Sequence, residues 1–302
     1  MKIRLYNLST FLIILSCLSS SLPALAITNF PKKELYLTGK ISQNIRAVQY
    51  FQQGRNLYDK GNIPEAEQAL KKAISIDKNY LDAHIVLGLL LITEGKHPEA
   101  TDAFREAIRI NPRDAKIHTL LGIALAEQGE LIMANKEFRE AIRLNPTLAE
   151  AHASLGLTLA AQGRLTEAIT SFREAIRLDP KEAATYNNLG RALSEQNNFV
   201  EAIAAYRQAI ILKPNLSVAH NNLGFALRKQ GRFDGALAAY REAIRIDANY
   251  ADAYFGLGMA LLEQGRFQEA VAPLQKARNL YRIQGNNIQE STVNQLLRQL
   301  GR

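Results

Sequence analysis

Two kinds of side chain recur in this chain at spacings able to carry chemistry. The first is a ladder of rings. His84, His118, His152 and His220 lie 34 residues apart or at a multiple of that interval, and Tyr50, Tyr186 and Tyr254 fill other places of the same series. Imidazoles in a row suggest a metal site. The second is a pair of phrases, YNNLGRALSEQNNF (186–199) and HNNLGFALRKQGRF (220–233), which repeat the doublets Asn187-Asn188 and Asn221-Asn222. An amide carries both donors and an acceptor, so stacked amides are suited to hold the C=O and N–H of an extended peptide whatever its sequence. No HExxH, GxSxG, GxxxxGK[ST], GxGxxG or paired-cysteine zinc signature is present, and the expectation is a non-enzyme without a cofactor.

The elements that position these residues follow from one period. Ala73, Ala107, Ala141, Ala175, Ala209, Ala243 and Ala277 are spaced at 34 residues without an insertion or deletion. Seven units result: 47–80, 81–114, 115–148, 149–182, 183–216, 217–250 and 251–284. Within a unit the fourth, seventh, eighth and eleventh places recur as His or Tyr, Leu, Gly and Leu, which is one face of a helix. Places 20, 24 and 27 recur as Ala, an aromatic or Leu, and Ala, a second apolar face. Each unit is therefore a helical hairpin. Gly at the fifteenth place (Gly95, Gly129, Gly163, Gly231, Gly265) suits the left-handed residue that ends the first helix, and Pro112, Pro146, Pro180 and Pro214 stop the second.

The hairpins argue against metal. Neighbouring helices pack roughly 8–10 Å apart, whereas two imidazoles sharing zinc need nitrogens within about twice the ~2.0 Å ligand distance. One histidine per unit is too sparse, and Tyr in the same place shows that what is shared is an amphipathic ring that packs while its polar edge finds a partner. His97 stands elsewhere, where sister units carry Phe or Leu, and is expected at least half exposed.

Thirty-four residues with [HY]-x2-LG-x2-L…A-x3-[FY]-x2-A…P closely resemble the tetratricopeptide repeat, over residues 47–284. The resemblance implies an all-α fold, an α-solenoid of helix-turn-helix repeats coiled into a superhelix. It also implies that places 2, 5, 6, 9, 12 and 13 face a concave groove. So assigned, units two to four present Ile85, Leu89, Ile92, Ile123 and Leu157. Units five to seven present Asn187, Asn188, Arg191, Asn221, Asn222, Phe225, Arg228, Lys229, Phe255 and Met259, the candidate peptide-binding residues; the alternative is that Asn-Asn merely tolerates solvent. Arg191 and Arg228 would add affinity for a carboxylate. The lysine–asparagine carboxylate clamp of chaperone-binding members is not reproduced in full.

The array ends depart from the pattern. Pro273 lies inside the last second helix, where a kink or exposure is expected. Residues 285–302, with Ile288, Val293, Leu296, Leu297 and Leu300, read as a capping helix. Arg105, Arg109, Arg139, Arg143, Arg173, Arg177, Arg207, Arg241 and Arg245 recur on the second helices with Glu106, Glu140, Glu174 and Glu242 between them, a solvated and partly paired outer face.

Residues 1–26 open with Lys2 and Arg4, run apolar from Phe11 to Leu18 and close on Ala24-Leu25-Ala26. This is the pattern of a signal peptide cut after Ala26, followed by a linker at 27–46. Eight apolar residues fall short of the roughly 20 that span a bilayer. Cys17, the sole cysteine, sits in a sequence resembling a lipoprotein box, so lipidation there is the alternative. The formal charge of +8 becomes +6 on removal of Lys2 and Arg4, which favours acidic partners; export makes nucleic acid an unexpected one, and nothing indicates a small-molecule ligand. The reading is a periplasmic or secreted scaffold that binds an extended, acidic or C-terminal peptide of another protein and helps assemble or position an envelope complex. The alternatives are an outer-membrane lipoprotein adaptor held through Cys17 and, in a different class, an exported hydrolase or metal carrier.

Overall fold

The computed structural model describes residues 41–301, with side chains from Ile45 onward. The signal segment 1–26, with Cys17 and Ala26, and the linker up to residue 40 lie outside the described residues. Within the described residues there are fifteen helices and no strand. They pair as α1 (Ile41–Asp59) with α2 (Ile63–Ile76), α3 (Leu81–Thr93) with α4 (His97–Ile110), and α5 (Ala115–Glu127) with α6 (Leu131–Leu144). Next come α7 (Ala149–Ala161) and α8 (Leu165–Leu178), then α9 (Ala183–Glu195) with α10 (Phe199–Leu212) and α11 (Ser217–Lys229) with α12 (Phe233–Ile246). The last pair, α13 (Ala251–Glu263) with α14 (Phe267–Ile283), is followed by α15 (Asn287–Gln299). The chain divides into two compact units, Met1–Glu167 and Ala168–Arg302. Helix α1 starts at Ile41, inside the stretch read as linker.

In the first unit the second helices bury a small–large–small triplet against the first. Ala66, Leu70 and Ala73, then Ala100, Phe104 and Ala107, then Ala134, Phe138 and Ala141 are fully buried. Each large member contributes about 2–3 kcal/mol by leaving water. The glycine of place 8 admits the ring: a Cβ on Gly122 would lie 2.5 Å from Phe138 Cε1. The second unit repeats the device with tyrosine, Gly190 against Tyr206 and Gly224 against Tyr240.

The hairpin turn uses the expected left-handed residue. Gly95, Gly129, Gly163, Gly231 and Gly265 have φ between 72° and 79°. In the fifth repeat Asn197 occupies the same place at φ 61°, because its short polar side chain tolerates a conformation that costs other residues about 1–2 kcal/mol.

Helix α14 runs through Pro273 to Ile283, with that proline half-buried. Helix α15 packs on α14 and buries Val293 and Leu297, while Ile288 stays 71% exposed. It covers the last hairpin, as a solenoid's terminal element must. None of the described helices is long and apolar enough to cross a membrane.

Candidate functional site

The histidine ladder resolves into a set of structural bonds. His84 Nε2 lies 3.0 Å from the Lys78 carbonyl, His118 Nε2 3.2 Å from that of Pro112, His152 Nε2 3.0 Å from Pro146 and His220 Nε2 2.9 Å from Pro214. Each ring reaches back six residues and, with its Nε2 protonated, donates to a carbonyl in the turn between two repeats. That satisfies an acceptor left over where the second helix ends. His118 alone has a second partner, Glu137 Oε2 at 2.7 Å from Nδ1; this carboxylate raises the imidazole pKa. His97 is half-buried, with Nδ1 unpartnered, and burial lowers its pKa. Among the described residues no group of three or more His, Cys, Asp or Glu is placed to hold a metal ion.

The amides come together on the first helices of the second unit. Asn222 Nδ2 on α11 donates to Asn187 Oδ1 on α9 at 3.0 Å, and Asn221 Nδ2 lies 3.5 Å from Asn222 Oδ1. The Tyr250 hydroxyl lies near Asn221, and burial raises its pKa. The row is thus partly closed on itself. Asn187 and Asn188 are 3% and 8% exposed, whereas Asn221, Asn222 and Arg191 are half-buried and Lys229 is exposed. With the Asn187 oxygen accepting from Asn222, the amide still offers its own Nδ2 hydrogens.

Phe225, on the same helix as Asn222, is 38% exposed and has Phe199 edge-on at 6.4 Å. Two cations lie over its ring, Arg228 at 5.6 Å and Lys229 Nζ at 5.7 Å from the centroid. They differ in availability. The Arg228 side chain is 12% exposed, donates through Nη1 to Glu263 one repeat on, and lies near the Tyr240 phenol. Burial pushes that phenol up to about 12 even with the guanidinium beside it. Arg228 is accordingly a packing cation, and Lys229 the open one. Phe255 stacks edge-on to Tyr281 at 6.4 Å and is half-buried, as is Met259.

The apolar set assigned to the first unit is not a free surface. Ile85, Leu89, Ile92, Ile123 and Leu157 are between 1% and 8% exposed. Helix α3 buries ten consecutive residues, Ala83 to Ile92, as a helix apolar on all sides does. Glu127, at the end of α5, is half-buried, and burial lifts its pKa to about 7.

The outer arginines are largely paired. Arg109 with Glu106, Arg143 with Glu140, Arg177 with Glu174 and Arg245 with Glu242 close at 2.6–2.8 Å, three residues apart on one helix. Sequence reasoning overlooked two sets of cross-links. One is Glu263, which holds Arg228. The other is the recurring glutamine of place 14, with Gln128 Nε2 donating to Thr101 Oγ1 at 2.6 Å and Gln162 Oε1 accepting from Asn135 Nδ2 at 2.8 Å. Its recurrence as Gln128, Gln162, Gln196, Gln230 and Gln264 was the available signal.

Comparison with known proteins agrees with this architecture. A family model described as the cilia and flagella-associated protein 70 C-terminal domain matches residues 14–252, and a tetratricopeptide repeat model matches residues 221–285. No curated protein sequence matches the chain. Among solved structures, a tetratricopeptide repeat protein from Parabacteroides merdae superposes with a TM-score of 0.65 at 18% identity, covering 85% of this chain and 100% of that one. Pseudomonas aeruginosa PilF gives 0.60 at 21% identity over 70% and 96% of the two chains. YrrB, described as a protein of this repeat type with an unusual peptide-binding site, gives 0.54 at 23% identity over 65% and 99%.

Proposed function

The chain belongs to the tetratricopeptide-repeat family, and from that premise we propose that it is an exported, non-enzymatic scaffold that holds an extended segment of another protein on the first-helix face of its second unit. The observation that carries the reading is the amide row Asn221, Asn222 and Asn187 on neighbouring helices, flanked by half-buried Arg191 and by exposed Lys229 and Phe225. Half-buried amides whose partners are other amides hold their orientation, so part of the ordering entropy of binding is spent in folding. Arg191 and Lys229 favour a segment that brings a carboxylate, and Phe225 offers it an apolar contact. The peptide-binding description of YrrB supports the same use of the fold.

Export and a role in an envelope complex rest on the leader-like residues 1–26, with anchoring through Cys17 as the second reading. Mass spectrometry of the mature N-terminus separates them: Ile27 supports a freely exported protein and a lipidated Cys17 an anchored one. The binding face is tested by crosslinked pull-down from the envelope fraction. Arg191→Glu and Lys229→Glu combined with Asn222→Ala should release partners that the parent chain retains. Retention of every partner by that variant would show the assignment to be wrong.

A further inference from the structure

Two ion pairs link successive second helices, and at the third repeat the carboxylate of their register is absent. The arginine of place 25 meets the glutamate of place 19 in the following repeat: Arg139 Nη2 to Glu167 Oε2 at 3.4 Å in the first unit, Arg173 Nη2 to Glu201 Oε2 at 2.6 Å in the second. Glu65, Glu99, Glu167, Glu201 and Glu269 hold that place. In the third repeat it is Met133, 43% exposed, and its neighbour Ile132 is 80% exposed. Arg105, whose register partner would be residue 133, turns back to Asp102 on its own helix at 3.4 Å. One turn further on stands Lys136, where the sister repeats have Gln68, Asp102, Thr170, Ala204, Ala238 and Ala272. A single turn of α6 has therefore exchanged a carboxylate for two apolar side chains and gained a cation.

This turn opens on a cleft of about 920 Å³. Lys136, Arg139, Arg143 and Arg164 line it; Glu140 in the wall pairs with Arg143, and Glu167 pairs with Arg139 and Arg164, so Lys136 is the cation of this wall outside those pairs, while Asn135 and Gln162 are hydrogen-bonded to each other there. The sixth repeat also lacks the glutamate, having Gly235, but there Asp234 stands beside it and accepts from Gln264 at 3.0 Å, and no large apolar residue is added.

We propose that the outer face of the first unit at α6 is a docking surface for an acidic protein segment. Its carboxylates take the place the third repeat leaves without one, against Arg105, Lys136 and Arg139, and an apolar side chain of the segment covers Ile132 and Met133. The charge of the wall selects the occupant. A second copy of this chain, with a formal charge of +8, or +6 without Lys2 and Arg4, is repelled. The apolar pair gives the contact a component that salt does not screen, which exposed ion pairs alone lack. The surface lies on a different set of helices from the amide row and stands independently of it.

The test is fluorescence anisotropy on the intact chain with a labelled peptide of repeated Asp-Glu-Leu triplets, a Lys-Arg-Leu peptide serving as the control. Met133→Glu restores the residue of five sister repeats, so it keeps the fold, which circular dichroism verifies. It should weaken the acidic peptide by about tenfold, since a like charge is set opposite the ligand's. Ile132→Ser should weaken it too, and Lys276→Glu, at an exposed cation of α14 outside both surfaces, should leave it unchanged. Unchanged affinity in Met133→Glu would overturn the proposal. So would an equal loss of binding in Lys276→Glu, or full displacement of the peptide by phosphatidylglycerol vesicles, which would make the patch a membrane contact.

Discussion

The same substitution, glycine to alanine, should have opposite signs at two helical positions of this protein. At Gly122 in α5 the new Cβ would lie 2.5 Å from Phe138 Cε1 and 2.8 Å from Cδ1. Phe138 is fully buried between Ala134 and Ala141, so the ring has nowhere to retreat. Overpacking of this kind costs about 1–3 kcal/mol, and contacts this short belong at the upper end. Alanine recovers about 1 kcal/mol of helix propensity, leaving a net loss of about 1–2 kcal/mol. At Gly235 in α12 the nearest heavy atom is Leu227 Cδ1 at 3.4 Å, the end of a flexible side chain. The propensity gain of about 0.5–1 kcal/mol remains there. Urea titration followed by circular dichroism should move the midpoint down for Gly122→Ala and up for Gly235→Ala. Because repeats contact mainly their neighbours and can open piecewise, hydrogen exchange should place the first loss in α5 and α6. Adding Phe138→Leu to Gly122→Ala should cost less than the two changes summed. Shifts of equal sign at the two glycines, or strict additivity with Phe138→Leu, would refute the close-approach argument.

Other consequences follow from single contacts. Glu137 raises the His118 pKa, so this pair adds stability that is fully present below the unfolded value near 6.5 and disappears as pH rises through the folded value. Glu137→Gln should therefore lower the melting temperature at pH 6 and leave it nearly unchanged at pH 9. Burial lifts Glu127 from 4.5 to about 7, so stability falls as pH rises between those values. Glu127→Gln should stabilise above pH 7 by about 1–2 kcal/mol once solvent screening is allowed for, and have little effect below pH 4.5; thermal melts across that range check it. Asn222→Ala leaves the Asn187 carbonyl oxygen, 3% exposed as a residue, without its donor, and should cost about 1–3 kcal/mol in denaturant titration.

The repeat, the hairpins and their turns were legible because they are local. Gly or Asn at the fifteenth place, a triplet of Ala, ring and Ala, and a 34-residue period each state a backbone requirement within one unit. The packing role of the histidines was legible from spacing alone, although not the partner of each ring, since the carbonyl six residues back is brought near only by the inter-repeat turn. The exposure of the residues proposed for binding was legible in part. Asn221, Asn222 and Lys229 are reachable as expected from their places, but Arg228 is taken by Glu263, 35 residues away, and Ile85 and Ile123 belong to the buried interior.

What the sequence by itself determined is the unit: which residues face inward in a hairpin, where it turns and how often it recurs. Tertiary structure alone decided which polar groups remain available. Availability depends on residues one full repeat apart meeting across helices, as Asn187 meets Asn222 and Arg139 meets Glu167, and on a place such as residue 133 where no carboxylate arrives to complete the pair. Periodicity reports the face a side chain occupies; only the packed neighbours determine whether its hydrogen bonds and charge are already engaged.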